Sequence, residues 1–315
     1  MNAPILVPLD GSLLAEQAIP FAEAFAAASQ SPLLLLCASY LSGLPGMDIA
    51  EEQVRELADA ERYLRGVASR LAKHNLTVET CVPYGLAGAS IVQEATIRKA
   101  QMIVMATHAR GGLGRLLYGS VAEEVVRDSS VPVLLLRAWH AGDFYTRLVR
   151  PGALVVPLDG SALAEAALPM AQSLAATLHA EVVLVSAVPP PDIALTPGGM
   201  SAALFPTDRA TAEREANAYL ERVAARLRAA GIAATTIVRT GAPAKVVAAV
   251  AEERGAALTV LTTHGRTGLD RLMLGSVAEA IVRHGATPVL LVKPETGDVA
   301  AAEAAGDCLP SVDVP

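Results

Sequence analysis

Two stretches of this chain place histidine, arginine, glycine and serine at matched spacing. Residues 262–276 read T-T-H-G-R-T-G-L-D-R-L-M-L-G-S, and residues 106–120 read A-T-H-A-R-G-G-L-G-R-L-L-Y-G-S. Each follows a short apolar run (257–261 and 102–105), and each is followed by V-A-E. A strand, a glycine-bearing loop and a helix start in that order make an anion site. The first N–H groups of a helix have no intrahelical partner and point at whatever lies beyond them. Arginine can add bidentate contacts to phosphate. The Gly-Ser pairs Gly119–Ser120 and Gly275–Ser276 admit a second reading. S-x-x-E, with Glu123 and Glu279, is also the pattern of a helix capping box. Arg110, Arg115, Arg266 and Arg271 could equally be solvated surface side chains.

A further acidic residue recurs in P-L-D-G-S, as Asp10 and Asp159. An Asp at a strand end shapes a turn or caps the next helix. It could also accept a ribose hydroxyl or hold a phosphate-bound metal ion. His108 and His264 are read as structural rather than acid–base, because no second titratable group is spaced to tune them. The loop contains no GxxxxGK[ST], and no GxGxxG follows either first strand, so neither familiar phosphate-loop signature applies. The three cysteines, Cys37, Cys81 and Cys308, form no CxxC or Cys/His cluster and are read as idle thiols of a reducing compartment.

The elements that must position these residues occur twice. Residues 5–20 match 154–169 at an offset of 149 (159 − 10). Later landmarks, V-P-V-L-L-L at 131–136 and T-P-V-L-L-V at 287–292, match at 156 (288 − 132). The second copy therefore gains residues in between, and the Pro-rich stretch 189–206 is where they fall. A period this long is a duplicated domain, not a solenoid. Each copy alternates strand and helix. The first is predicted as strands at 5–9, 33–38, 77–82, 102–107 and 131–137, with helices at 13–29, 49–74, 89–100 and from 120. The second is predicted as strands at 154–158, 181–188, 233–238, 257–262 and 289–293, with helices at 163–178, 210–230, 244–254 and 276–284. Unbroken apolar strands alternating with helices predict an α/β fold, two doubly wound parallel sheets covered on both faces. Ligands on such sheets bind beyond the strand C-termini, where strand order reverses. The predicted organisation is domain 1 at 1–137, a linker at 138–152, domain 2 at 153–294, and an acidic tail at 295–315 expected to be disordered.

Bulk properties exclude several classes. The net charge of −7 and the 3 % aromatic content argue against a nucleic-acid surface. Mean hydropathy is high at +0.41, yet no apolar run reaches the roughly 18 residues of a membrane span. No signal region precedes the first strand, so a cytoplasmic protein is expected.

The P-L-D-G-S start, the T-H-G-R-T-G-L-D-R-L-M-L-G-S loop and the T-P-V-L-L-V ending resemble the universal stress protein family over nearly the whole chain. The resemblance implies a five-stranded parallel sheet of order 3-2-1-4-5 in each domain. It also implies ATP binding through a Gly, two residues, Gly, nine residues, Gly, Ser/Thr signature, with Mg or Mn carried on the phosphates near Asp10 and Asp159. In the second copy the signature falls on Thr262, Gly265, Gly275 and Ser276, losing one glycine. In the first it falls on Ala106, Ala109, Gly119 and Ser120, losing two. The implied nucleotide set in domain 2 is Pro157, Leu158, Asp159, Ala187, Thr262, His264, Gly265, Arg266, Thr267, Gly268, Gly275, Ser276 and Val277. In domain 1 it is Pro8, Leu9, Asp10, Ala38, Ala106, His108, Ala109, Arg110, Gly111, Gly112, Gly119, Ser120 and Val121. Ala38 and Ala187 would lie at the adenine.

The expectation is thus an ATP-binding stress-response regulator with no dedicated catalytic residues and with the better site in domain 2. The rivals are a slow ATPase or nucleotide-transferring enzyme, and a nucleotide-free interaction module. Family pairing through the fifth strands implies that this chain forms an internal pseudo-dimer, and it is compatible with a further homodimer.

Overall fold

The computed structural model describes residues 2–40, 49–107, 119–137, 152–188, 209–263 and 274–294. The contacts divide the chain into two compact units. Unit 1 comprises Met1–Gly152, Thr177–His179 and Val282–Leu291; unit 2 comprises Ala153–Ala176, Ala180–Ile281 and Val292–Pro315.

In unit 1, strands β1 (Ile5–Pro8), β2 (Leu33–Leu36), β3 (Val78–Cys81), β4 (Met102–Thr107) and β5 (Val133–Arg137) lie in the order β3-β2-β1-β4-β5 and are mutually parallel. Every residue of β1 and β2 is buried, as only a strand covered on both faces can be. Four consecutive leucines in β2 are each at most 1 % exposed. Full burial of each stabilises by about 2 kcal/mol before the chain entropy is counted. The edge strand β3 is only partly buried, and Glu79 on it pairs with Arg98 at 3.1 Å, which discourages further strand addition. Unit 1 also takes in residues 289–291, which run antiparallel to β5 with Leu290 opposite Leu134.

In unit 2, strands β6 (Ala153–Pro157), β7 (Glu181–Val188), β8 (Ala234–Thr240) and β9 (Leu258–Thr262) repeat the pattern as β8-β7-β6-β9, again all parallel. Strand β10 (Val289–Val292) closes the chain's series of strands.

One expectation is corrected in both units. The helix predicted over residues 13–29 is two helices, α1 (Leu13–Glu16) and α2 (Ile19–Ser29). Pro20 lacks the N–H that would bond back to Glu16, and its ring would clash with that carbonyl, so a continuous helix cannot form. Pro20 instead sits in the first turn of α2, where no partner is required. The long helix α3 (Ile49–Leu71) follows, then α4 (Ala87–Ile97) and α5 (Ser120–Asp128). Unit 2 repeats the break at Pro169, giving α6 (Ala162–Glu165) and α7 (Leu168–Leu178). It continues with α8 (Arg209–Ala229), α9 (Pro243–Glu253) and α10 (Ser276–His284). The linker positions 138–151 and the tail 295–315 lie outside the described residues. Among the described residues no helix is long and apolar enough to cross a membrane.

Candidate functional site

The strand order decides where a ligand can sit. β1 has β2 on one side and β4 on the other, so the connections leaving β1 and β4 diverge and leave a crevice beyond their C-termini. Proline sharpens this divergence. Ile5 N–H donates to the Pro32 carbonyl and Leu9 N–H to the Leu36 carbonyl, so odd-numbered residues of β1 face β2 with their N–H groups. Pro8 therefore stands where an N–H would face β4, and it has none. The β1–β4 register accordingly stops at Leu6 opposite Ile103. In unit 2, Leu158 N–H donates to the Val185 carbonyl, which puts Pro157 on the β9 side, and the β6–β9 register stops at Val155 opposite Thr259. The Pro of P-L-D-G-S is thus a wedge that parts the two strands just below the acidic residue.

Asp10 is exposed at the lip of this crevice. Its Oδ1 accepts from Ser12 N–H at 2.9 Å and from the Ser12 hydroxyl at 2.6 Å. Ser12 Oγ in turn accepts from Ala15 N–H at 3.1 Å. Asp159 repeats the arrangement with Ser161 at 3.0 and 2.6 Å, and Ser161 with Ala164 at 3.1 Å. The serine is therefore the N-cap of the short helix, and the aspartate braces the turn that presents it. Only one carboxylate oxygen of each aspartate is used this way. Oδ2 makes no hydrogen bond among the described residues and is available to a ligand.

Across the crevice, β4 leads toward Gly119 and α5. Gly119 is the N-cap, with φ 95° and ψ 144°, a backbone region open in practice only to glycine. A Cβ built on it would meet no described residue within 4 Å. Ser120 is the first helical residue and is exposed. This corrects the capping-box reading. Glu123 N–H bonds to the Gly119 carbonyl, so Glu123 stands one position too far along to reach back to the cap N–H, and its Oε2 is buried without a partner. With no side chain on the cap, the first N–H groups of α5 have no partner among the described residues. In unit 2, Gly275 N–H donates to the Thr263 carbonyl at 2.7 Å, and α10 begins at the exposed Ser276. Both ends of that loop therefore meet at the C-terminus of β9.

Of the remaining expected residues, Leu9, Leu158 and Thr262 are buried beneath the crevice, and Ala38, Ala106, Val121, Ala187 and Val277 are half-buried beside these strand and helix ends. His108, Ala109, Arg110, Gly111, Gly112, His264, Gly265, Arg266, Thr267 and Gly268 lie outside the described residues. No cluster of three or more metal-ligating side chains occurs among the described residues. Burial, reinforced by Asp10, pushes the Cys37 thiol up from its ordinary value, and burial with Glu94 does the same to Cys81.

Three features were not read from the sequence. Tyr40 and Tyr84 lie 6.1 Å apart, ring to ring, just beyond β2 and β3. Glu16 accepts from the Tyr63 hydroxyl at 3.0 Å and from Arg70 at 2.7 Å. Glu165 accepts likewise from Tyr219 at 2.9 Å and Arg226 at 2.6 Å. The matched spacing from Tyr63 to Arg70 and from Tyr219 to Arg226 was the available signal.

The fold is that of a doubly wound α/β protein with a switch point between β1 and β4 in unit 1 and between β6 and β9 in unit 2. The family model described as "Universal stress protein family" matches residues 1–137 and 152–293. The chain belongs to that family. Universal stress protein Rv2005c of Mycobacterium tuberculosis is 26 % identical over 299 residues, covering 92 % of this chain and 96 % of the relative. Universal stress protein MJ0531 of Methanocaldococcus jannaschii is 31 % identical over 140 residues, covering 44 % of this chain and 81 % of the relative. Among solved structures, a universal stress protein from Archaeoglobus fulgidus superposes with a TM-score of 0.72 at 22 % identity, covering 93 % of this chain and 98 % of the other. At that identity the likeness establishes the fold.

Proposed function

We propose that this tandem universal stress protein binds ATP in the crevice of each unit and acts as a nucleotide-occupied regulator of the stress response. The observation that carries the reading is that a half-free aspartate and a glycine-led helix start follow the C-terminal ends of two neighbouring parallel strands, β1 and β4, with the same order at β6 and β9. Asp10 and Asp159 each keep one oxygen for a ribose hydroxyl or a phosphate-bound Mg or Mn ion. The N-termini of α5 and α10 supply N–H donors suited to phosphate. The glycine at each start lets a phosphate approach the backbone without meeting a Cβ. Unit 2 is the better site, because its loop keeps Gly265 where the first has Ala109. Occupancy is preferred to turnover, which would need a positioned base or water-orienting group at the phosphates.

Titration calorimetry tests the ranking. In a Gly275→Val protein the tighter ATP site disappears, whereas Gly119→Val leaves it intact. The opposite pattern refutes the ranking.

One observation favours a second reading for unit 1 alone, as a nucleotide-free interaction half. Leu13, Tyr40, Tyr84 and Leu86 are 84, 50, 56 and 59 % exposed, whereas Ala162, Thr240 and Ala242 occupy three of the matching positions in unit 2. One ATP per chain rather than two would select it. We further propose a cytoplasmic location and an internal pseudo-dimer; the antiparallel register of Leu290 with Leu134 supports the pairing of fifth strands. The domain limits 1–137 and 153–294 and the linker 138–152 are kept as proposals with it.

A further inference from the structure

The short helix that follows each aspartate is held at both ends. At its start Asp10 grips Ser12, and at its last residue Glu16 grips α3 through Tyr63 and Arg70. Unit 2 builds the same device from Asp159, Ser161, Glu165, Tyr219 and Arg226. The correspondence extends to atoms. In both copies Oε1 of the glutamate takes the tyrosine hydroxyl and Oε2 takes the arginine. The glutamate side chains are 24 and 28 % exposed and their arginine partners 58 and 63 %, so the tyrosine contact is the more sheltered of the two and the arginine contact the more screened. A helix of four residues has too few internal hydrogen bonds to hold its own geometry. Its orientation must come from its attachments. The tyrosine side chain also lies within electrostatic reach of the aspartate. Both tyrosines are raised well above the ordinary phenol value, first by burial and then by the glutamate, with Asp10 or Asp159 contributing.

We infer that Glu16–Tyr63–Arg70 and Glu165–Tyr219–Arg226 are positioning triads that lock the P-L-D-G-S turn to the long helix and thereby aim the free carboxylate oxygen of Asp10 or Asp159 into the crevice. This inference rests on the nucleotide reading of that crevice. The triad residues touch no ligand. They act through the aspartate, and they tie the turn to α3 and α8. Tyrosine suits the task better than a second charge. It donates a single directed hydrogen bond and adds no positive charge that would draw the aspartate away from its ligand.

The test is a double-mutant cycle on the full chain, Tyr219→Phe against Asp159→Asn, read by ATP titration calorimetry and by hydrogen exchange of residues 157–166. Tyr219→Phe is expected to keep the melting temperature within about 2 °C of wild type. It weakens ATP binding about fivefold and speeds exchange of the Ser161 and Ala164 amides about tenfold. In the Asp159→Asn background the same change costs little further affinity, because the group through which it acts is gone. Equal losses in both backgrounds, or unchanged exchange at Ser161 and Ala164, overturn the triad's role. Glu165→Gln, which keeps the acceptor but drops the charge that holds Arg226, guards against a folding artefact and gives the same exchange signature. Wild-type protein that binds no ATP removes the nucleotide reading. Faster exchange in Tyr219→Phe would then still report the lock, and slow exchange would remove both.

Discussion

The Gly275 N–H donates to the Thr263 carbonyl at 2.7 Å, and Thr263 N–H donates to the Val292 carbonyl at 3.1 Å. The end of β9 and the start of α10 are therefore fastened at one point. Gly275→Ala retains the donor and adds one methyl group on the lip of the crevice. It is expected to leave thermal stability within about 1 kcal/mol of wild type while lowering ATP affinity several-fold. Gly275→Pro deletes the donor and is expected to lower the melting temperature as well. Differential scanning calorimetry beside titration separates the two. Equal melting temperatures for both variants would contradict the fastening.

Gly119 carries a different constraint. Its φ of 95° disfavours any side chain, although a Cβ there would meet no described residue within 4 Å. Gly119→Ala should therefore destabilise unit 1 through backbone strain alone, by about 1–3 kcal/mol. A urea midpoint unchanged from wild type would show that this turn relaxes without cost.

Asp159 has two separable duties. Asparagine keeps an oxygen for Ser161 but removes the charge, so Asp159→Asn should preserve stability and weaken ATP binding. Alanine also frees the cap, and Asp159→Ala should lose about 1 kcal/mol of stability in addition. Ser161→Ala should lose a similar amount of stability. Chemical denaturation curves for the three variants check the order.

The pH dependence follows from the surface carboxylates of unit 2. Arg239 beside Glu253 and Arg209 with Thr240 beside Glu213 hold both carboxyls below their ordinary value of 4.5. The unfolded chain then binds protons more readily than the folded one. These pairs stabilise fully above pH 4.5, and their contribution is lost as the pH falls through the depressed folded values. The urea midpoint should be level from neutral pH down to about pH 5 and fall below it, less steeply in Glu253→Gln. Glu253 is solvent-exposed and Glu213 half-buried beside an exposed arginine, so added salt should shrink the difference. A midpoint that rises on acidification would contradict the sign.

Much of the fold could be read from patterns with short range. The apolar strands and amphipathic helices announced themselves by periodicity, and the repeat at Asp10 and Asp159 doubled every signal. What escaped depended on exact position or on distant partners. The helix over residues 13–29 broke because Pro20 faces Glu16, a clash that a composition reading of an Ala-rich stretch overlooks. The S-x-x-E pattern pointed to a capping box, yet the helix begins one residue earlier than that box needs, and Gly119 is the cap. The Pro8 wedge depends on which side of β1 its missing N–H would face, and only the strand order supplies that. Glu16 and Tyr63 are 47 residues apart, so their contact had no local trace.

If the two crevices hold ATP, the purified chain carries it or takes it up. The direct measurement is to denature the purified protein, chromatograph any released nucleotide, and titrate the nucleotide-free refolded chain with ATP. ATP released from the purified chain, or saturable binding that raises the melting temperature and weakens in Asp159→Asn, is the predicted result. No released nucleotide, no heat of binding and no shift in melting temperature would contradict it.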